Sequence, residues 1–276
     1  GKAALSHERL VKTAGYKSIS FGIECELECL KLINPRILNN IVEIGPGNGQ
    51  HTIALLTMFK TNIAQQCSYL GLDFSKTLLE IASRNFSQSD IVYQYKFDTW
   101  DFEASSTEQI DNWRSLLPED NVLILFLGST IGNSRNTLKA LQNIVHSSMP
   151  GDMILVSYSI FVNGMTGDAY MAPYWSSIFY NAVLMPFIMW GIKSSSINFS
   201  LSFTDRAVMG QAEFLDPVLG LKEDMILPPH SHVFCFQSKR FFQSEIEELI
   251  ANAGCKMLTT NTSTLNCQSA ILVEVL

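Results

Sequence analysis

The stretch NNIVEIGPGNGQHT, residues 39–52, runs from a short apolar segment into a turn that contains three glycines. The apolar segment predicts a strand, and the apolar residues after the turn predict a helix. Glu43 and the glycines at 45, 47 and 49 give the pattern E-x-G-x-G-x-G. A dinucleotide fingerprint has the spacing G-x-G-x-x-G, and a Walker loop ends in Gly-Lys-Ser or Gly-Lys-Thr. Neither pattern is present, and the turn alone fits any strand-to-helix connection.

Around this turn, strand-like and helix-like segments alternate. Several of the strand-like segments are apolar on both faces, which is typical of a parallel sheet covered by helices on both sides. Ser75 precedes one helical segment and is a candidate N-cap. The predicted strands lie within residues 67–75, 91–102, 121–133 and 153–161, and the predicted helices within residues 23–33, 51–59, 76–86 and 137–149.

The alternation ends after residue 161. Residues 170–192 contain no charged side chain and are long enough to span a membrane. Pro173, Pro186 and Asn181 favour buried helices of a second lobe or lid over a membrane span or a membrane-surface helix. Residues 197–234 alternate apolar and polar side chains, which predicts strands and loops in the same lobe.

The sequence returns to regular patterns near its end. Residues 242–254 predict a helix, with a capping box formed by Ser244 and Glu247 and a stop at Gly254. A closing pair of strands is expected in residues 255–276. We therefore expect a core of residues 1–163 and 239–276, with residues 164–238 as an inserted substrate-binding lobe.

Composition limits the classes of partner and compartment. The net charge of −7, without a basic run, makes nucleic acid an unexpected partner. The six cysteines form no C-x-x-C pair, so we expect free thiols, no metal site and a reducing, cytoplasmic compartment. The N-terminus lacks the pattern of a signal peptide.

Acidic residues follow successive predicted strands. Asp73 ends the second strand, 28 residues beyond Gly45, where a carboxylate can bind a ribose. Asp101 and Phe102 follow the third strand and suit an adenine amine and its ring face. Glu43 would repel a pyrophosphate but suits a cationic amine or a sulfonium. The set predicts adenosine carried on something other than phosphate.

These features resemble the class I S-adenosylmethionine-dependent methyltransferases. The segments VEIGPGNGQHT, WDF, FLGSTIGN, PGD and FFQSEIEELIANAG resemble, in particular, the histidine-specific N-alpha-methyltransferases of ergothioneine biosynthesis, over residues 39–276. GSTIGN (128–133) is distinctive for that family, which also includes methyltransferases of indole-alkaloid pathways. The resemblance implies an α/β fold with a Rossmann-like, mostly parallel sheet, an antiparallel strand near the C-terminus and an inserted substrate-binding lobe. It also implies S-adenosylmethionine as the cofactor and a small-molecule substrate of secondary metabolism.

The resemblance also assigns roles to individual residues. Asn133 matches the asparagine that holds the amino acid head group of the substrate. Tyr170 matches a tyrosine that contacts the same head group, and together these two residues would orient the reacting amine. With Glu43 and Gly47 of the turn, the expected cofactor-binding residues are Glu43, Gly45, Gly47, His51, Asp73, Asp101, Phe102 and Gly128.

The sequence departs from the family where the imidazole of histidine would bind. Phe236 stands at the position of a glutamate, while Ser238 matches the family's serine. Tyr16 is a candidate for the cofactor-covering tyrosine. We expect methylation of the amine of a small amino-acid-like substrate with an apolar or aromatic side chain, rather than of histidine. The alternatives are a methyltransferase acting on oxygen or carbon of a larger apolar metabolite, and a non-catalytic cofactor-binding subunit.

Overall fold

A computed structural model describes residues 6, 8–10, 13, 22–33, 39–59, 67–89, 91, 94–116, 121–219, 226–265 and 267–276. The chain divides into two compact units. We call residues 19–161 with 240–276 the sheet unit, and residues 1–18 with 162–239 the lobe.

Regular elements follow one another closely along the described ranges. The strands are β1 (Asn40–Ile44), β2 (Ser68–Asp73), β3 (Gln94–Thr99), β4 (Leu123–Phe126), β5 (Met153–Ser159), β6 (Ile197–Thr204), β7 (Ala207–Phe214), β8 (Val218–Leu219), β9 (Ile226–Leu227), β10 (Ser231–Lys239), β11 (Cys255–Ser263) and β12 (Gln268–Val275). The α-helices are α1 (Ile23–Leu30), α2 (Gln50–Phe59), α3 (Lys76–Ser87), α4 (Gln109–Arg114), α5 (Thr137–His146), α6 (Gly167–Met171), α7 (Ser177–Met189) and α8 (Gln243–Asn252).

The sheet unit is built on seven strands in the order β11-β12-β5-β4-β1-β2-β3. The run from β5 to β3 is parallel, and β12 is antiparallel to both of its neighbours. This confirms the predicted mostly parallel sheet with an antiparallel strand near the C-terminus. Because the parallel strands point the same way, their carboxyl ends meet at one edge, where open α/β sheets bind ligands.

The central strands have the burial that their composition predicts. Every residue of β1, β2 and β4 is buried, whereas β3 at the end of the sheet alternates exposed and partly buried residues. The hydroxyl of Ser75 accepts a hydrogen bond from the Leu78 N–H at 3.4 Å, which confirms the predicted cap of α3.

The predicted capping box of α8 is wrong. The N-cap is Phe242, no side chain caps the helix, and Ser244 lies inside its first turn. Phe241, directly before this N-cap, donates its N–H to the carbonyl of Ser159 at the end of β5. The predicted stop is confirmed, since Gly254 has a φ of +94°. The short helix α4 was not predicted.

The lobe contains a three-stranded antiparallel sheet, β10-β7-β6, and a separate β8-β9 pair. Residues 170–192 form the end of α6, a 3₁₀ helix and α7, which contains Pro186. One side of α7 is buried through Leu184 and Phe187, while Ile178 and Met189 are exposed. Within the described ranges, the structure has no helix whose length and apolar character would suit a membrane crossing.

Candidate cofactor-binding site

The glycine turn after β1 uses backbone conformations that favour glycine. Gly45, Gly47 and Gly49 have φ values of +70°, +58° and +74°. The N–H of Gly45 donates to the carbonyl of Leu72 on β2 at 2.7 Å. A Cβ atom on Gly49 would lie 2.7 Å from the ring of Phe86, so a third glycine is required for the turn to pack against α3.

Asp73 holds the same turn from the end of β2. Its Oδ2 atom accepts a hydrogen bond from the Gly47 N–H at 3.1 Å, and its Oδ1 atom accepts one from the Ser75 N–H at 2.8 Å. Burial raises the pKa of Asp73, and the two backbone N–H groups act in the opposite direction. Because each carboxylate oxygen can accept more than one hydrogen bond, the group can still accept from the hydroxyls of a ribose.

Asn48, which was not among the predicted site residues, carries an unsatisfied donor in the turn. Its side-chain oxygen accepts from the Gln50 N–H at 3.2 Å, and its carbonyl accepts from the side chain of Asn85 at 2.8 Å. The Nδ2 atom is buried and has no hydrogen-bond partner within the described residues. A turn with an unmet donor fits a ligand rich in acceptors, such as the amino acid end of S-adenosylmethionine.

Glu43 and His51 point into a buried network behind the turn. The Oε2 atom of Glu43 accepts hydrogen bonds from Thr52 Oγ1, at 2.5 Å, and from the hydroxyl of Tyr69. His51 Nε2 lies 2.8 Å from Glu26 Oε2 on α1. Contact of Glu43 and His51 with the cofactor therefore stays a prediction. The pairing of Glu26 with His51 was not predicted, and no sequence pattern indicates it.

Burial and neighbouring groups shift the pKa values of both Glu43 and His51. Burial raises the pKa of Glu43 to about 7, although the hydrogen bonds from Thr52 and Tyr69 act to lower it. Burial acts to lower the pKa of His51, but the Glu26 carboxylate outweighs it, so the pKa of His51 is raised.

GSTIGN forms a sharp connection from β4 into a 3₁₀ helix, Thr130–Asn133. Gly128 and Ser129 both have positive φ, at +67° and +59°. The N–H of Gly128 donates to Ser157 Oγ at 3.0 Å, and the Ser129 hydroxyl lies 3.0 Å from that of Ser159. These buried contacts hold a serine in a conformation that costs a non-glycine residue energy.

The glycine turn and GSTIGN lie against each other. A Cβ atom on Gly45 would lie 3.1 Å from Cγ2 of Thr130. Asn133 is exposed at the end of the 3₁₀ helix, where its amide is accessible to a ligand. Two motifs that are separated by about eighty residues in the sequence are thus neighbours at one edge of the sheet.

The segment after β3 brings an aromatic ring to β4. The ring of Phe102 packs edge-on against Phe126, with centroids 5.3 Å apart. Asp101 is exposed, and its Oδ1 atom accepts from the Glu103 N–H at 3.1 Å. Phe74, which directly follows Asp73, is 76% exposed and was not predicted as a site residue. The sequence signal that could have identified Phe74 is an aromatic residue directly after the acidic end of a strand.

In the lobe, the hydroxyl of Tyr170 makes two hydrogen bonds to the main chain. It accepts a hydrogen bond from the Val162 N–H at 2.7 Å and donates one to the Val162 carbonyl at 3.1 Å. The ring stacks on Phe203, with centroids 4.9 Å apart. A role for Tyr170 at the substrate head group stays a prediction, and it would require the hydroxyl to exchange one of these partners. Tyr16 lies outside the described residues.

Phe236 belongs to an aromatic cluster of the lobe. Its ring stacks on Tyr174 at 5.7 Å and meets Phe179 edge-on at 5.1 Å. A Cβ atom on Gly210 would lie 2.2 Å from the Phe236 ring, so the strand opposite needs a glycine there. Ser238, two residues further along β10, is partly buried and pairs with Val208.

Comparison with known proteins defines the class. The fold is similar to that of an S-adenosylmethionine-dependent methyltransferase from Clostridium acetobutylicum ATCC 824, with a TM-score of 0.53 at 8% identity over 98% of this chain and 97% of that one. It is also similar to an O-methyltransferase family 2 protein from Planctomyces limnophilus DSM 3776 in complex with apigenin, with a TM-score of 0.52 at 14% identity over 100% of this chain and 63% of that one. These likenesses show the fold, and no curated protein matches the sequence.

The fold is thus that of the S-adenosylmethionine-dependent methyltransferases. The profile of the family described as "Histidine-specific methyltransferase, SAM-dependent" matches residues 21–167, which is more than half of the chain. The chain belongs to that family. Its cofactor is S-adenosylmethionine, and the glycine turn, Asp73 and the unmet donor of Asn48 fit the amino acid and ribose parts of that molecule.

Proposed function

We propose that the protein transfers a methyl group to the amine of a small amino-acid-like substrate with an apolar or aromatic side chain, and that histidine is not this substrate. The observation that carries the proposal is the packing of Phe236 between Tyr174 and Phe179, where the family resemblance places a glutamate. The proposal also assigns residues 164–238 to substrate binding.

The chemistry of an imidazole explains why this residue matters. A buried imidazole N–H without an acceptor costs about 1–3 kcal/mol. Phe236 has a ring instead of a carboxylate, and this ring packs against the buried rings of Tyr174 and Phe179. Aromatic rings stabilise apolar and aromatic side chains by area burial and edge or offset contacts.

In the proposed reaction, S-adenosylmethionine supplies a methyl group that its sulfonium already activates. The protein then has to bind the cofactor and the substrate, orient the reacting atoms and exclude water. Such positioning lowers the barrier of the transfer. Gly45, Gly47, Asp73, the Asp101–Phe102 pair and Gly128 are proposed to hold the cofactor at the carboxyl edge of the sheet.

Asn133 is proposed to orient the head group of the substrate. An amide both donates and accepts, so it can bind a carboxylate and an amine alike. Its exposure at the end of the 3₁₀ helix leaves these groups accessible. Tyr170 would assist if its hydroxyl exchanged its bond to Val162. Bulk water or a nearby carboxylate would accept the proton of the amine.

A second candidate is methylation of oxygen or carbon in a larger apolar metabolite. The uncharged segment 170–192 favours it, since the lobe exposes Trp175 and Trp190, at 52% and 63%, and Trp190 packs against Phe187 of a buried apolar cluster. This acceptor would lack the amino acid head group that Asn133 is proposed to bind.

Mass spectrometry of reactions with a panel of amino acids, amines and phenols separates the two candidates. The proposal predicts N-methylated aromatic amino acids or amines as products, and no methylated histidine. A matched Phe236→Glu variant should lose activity on the apolar substrate, whereas Ser238→Ala should retain most of it. Products methylated only on oxygen or carbon would favour the second candidate. The absence of any thermal shift with millimolar S-adenosylhomocysteine would contradict both.

A further inference from the structure

Behind the glycine turn, the sheet unit buries a group of titratable side chains that no step of the reaction uses. We define the buried acidic cluster as the titratable residues Glu26, Glu43, His51 and Tyr69 together with Thr52, whose neutral hydroxyl donates to Glu43. None of the five is more than 8% exposed. They come from α1, β1, α2 and β2, so the cluster joins the elements on either side of the turn.

The charges within this cluster do not balance. Glu26 pairs with His51 at 2.8 Å, which leaves one carboxylate for which the cluster supplies no second cation. Glu43 accepts hydrogen bonds from two neutral hydroxyls, those of Thr52 and Tyr69. On its other side, β4 places Leu125 in register with Glu43. Among the residues that the structure describes, Glu43 has no direct ion-pair partner.

A buried carboxylate in this position holds a proton more tightly than one in water. Burial raises the pKa of Glu43 to about 7, the charge of Glu26 adds to the rise, and His51 with the two hydroxyl groups opposes it. At neutral pH the group is therefore close to half-protonated. A positive charge arriving nearby would favour its ionised form.

The cofactor would bring such a charge close to Glu43. Gly45 lies two positions after Glu43 in the sequence, so their Cα atoms lie within about 7 Å of each other. S-adenosylmethionine carries a sulfonium, whereas the product S-adenosylhomocysteine carries a neutral thioether. The two molecules otherwise share the same adenosine and amino acid parts.

We propose that Glu43 is a specificity-determining residue that distinguishes the sulfonium cofactor from its thioether product through a change in its own protonation. In the ligand-free protein at neutral pH, Glu43 holds a proton in about half of the molecules, and binding of the sulfonium releases that proton to the solvent. When the methyl group has been transferred, the positive charge is gone and the carboxylate takes a proton from the solvent again. The linkage favours binding of the cofactor over binding of the product.

Calorimetry in buffers with different ionisation enthalpies measures this proton release. Without any acceptor substrate, titration of the protein with S-adenosylmethionine at pH 7 should release about 0.4 proton per cofactor if the sulfonium lowers the proton affinity of Glu43 tenfold. Titration with S-adenosylhomocysteine should release close to none. The Glu43→Gln variant should bind both molecules without this difference.

Two results would overturn the proposal. Equal proton release with both ligands would show that the sulfonium is not sensed, and unchanged release in Glu43→Gln would place the proton on another group, such as His51. If Glu43→Gln does not fold, Tyr69→Phe gives the answer. Removing that hydroxyl takes away a hydrogen bond that lowers the pKa of Glu43, so the pH of maximal release should rise, and an unchanged profile would contradict the proposal.

Discussion

The sheet unit and the lobe differ in the contacts that hold their proposed functional residues. In the sheet unit, the proposed cofactor motifs are held through main-chain N–H groups, which donate from Gly47 to Asp73 and from Gly128 to Ser157. In the lobe, Phe236, which is proposed to stand where the family has a glutamate, stacks on Tyr174 and packs over Gly210. The proposed cofactor motifs are therefore constrained by main-chain geometry. The surroundings of Phe236 depend instead on side-chain packing, which substitutions can change.

The largest expected effect is a loss of cofactor affinity on substitution of Asp73. Asp73→Ala removes the acceptor of two backbone N–H groups and the proposed ribose contact. Affinity for S-adenosylhomocysteine should fall about 100-fold, because hydrogen bonds to a charged group contribute about 1.5–3 kcal/mol each. Calorimetry measures the change. Asp98→Ala, at the end of the adjacent β3, is the control, and an equal loss in both variants would contradict the assignment.

A second test uses the pH dependence of stability. The pKa of Glu43 is raised in the folded protein to about 7, from an ordinary value of 4.5. Its contribution to stability is therefore present below the unfolded pKa and is lost as pH rises through about 7. Between pH 5 and pH 8, the wild type should lose about 2.5 kcal/mol relative to Glu43→Gln. Denaturant unfolding at both pH values measures this difference, and a pH-independent difference would contradict the burial of an ionisable Glu43.

A third test addresses the packing of the lobe. Gly210→Ala would place a Cβ atom 2.2 Å from the ring of Phe236 and should destabilise the protein by about 1.5 kcal/mol. The cost should largely disappear in a Phe236→Ala background, because the two residues are in contact. Gly22→Ala is the matched control, since its nearest neighbours would lie at 3.6 Å or beyond. Additive effects of the two lobe substitutions would refute the predicted coupling.

The smallest expected change is in kcat/KM, on substitution of Asn133, which is proposed to bind the head group of the substrate. Asn133→Ala should reduce kcat/KM about tenfold through the loss of hydrogen bonds to the substrate, while affinity for S-adenosylhomocysteine stays within about twofold. Asn112→Ala, an exposed asparagine of α4, is the control. Steady-state kinetics together with calorimetry separate the two effects. A loss of cofactor affinity would move Asn133 from the substrate site to the cofactor site.

Much of the sheet unit could be predicted from sequence because its signals are local. Apolar strands, the glycine turn and the acidic strand ends each lie within a few residues, and the parallel topology then brings them to one edge. The partner of His51 could not be predicted, since Glu26 reaches it from another helix, 25 residues away. The left-handed conformation of Ser129 likewise depends on distant β5 and β12 through Ser159 and Gln268.

The lobe was predictable only in outline. The pattern of residues 197–234 indicates strands, but the pairing of Phe236 with Gly210 depends on strand register and on a bulge between Phe234 and Phe236. The engagement of the Tyr170 hydroxyl by Val162 is a backbone contact that leaves no mark on the residue pattern. Side-chain alternation does not specify such contacts.

One competition experiment tests the central claim most directly. Histidine and an aromatic amino acid such as tryptophan are offered at equal concentration in a single reaction with S-adenosylmethionine, and the methylated products are quantified by mass spectrometry. The packing of Phe236 predicts that the N-methylated aromatic product exceeds methylated histidine by about tenfold or more, since an unpaired imidazole N–H costs about 1–3 kcal/mol. A predominance of methylated histidine would contradict the account.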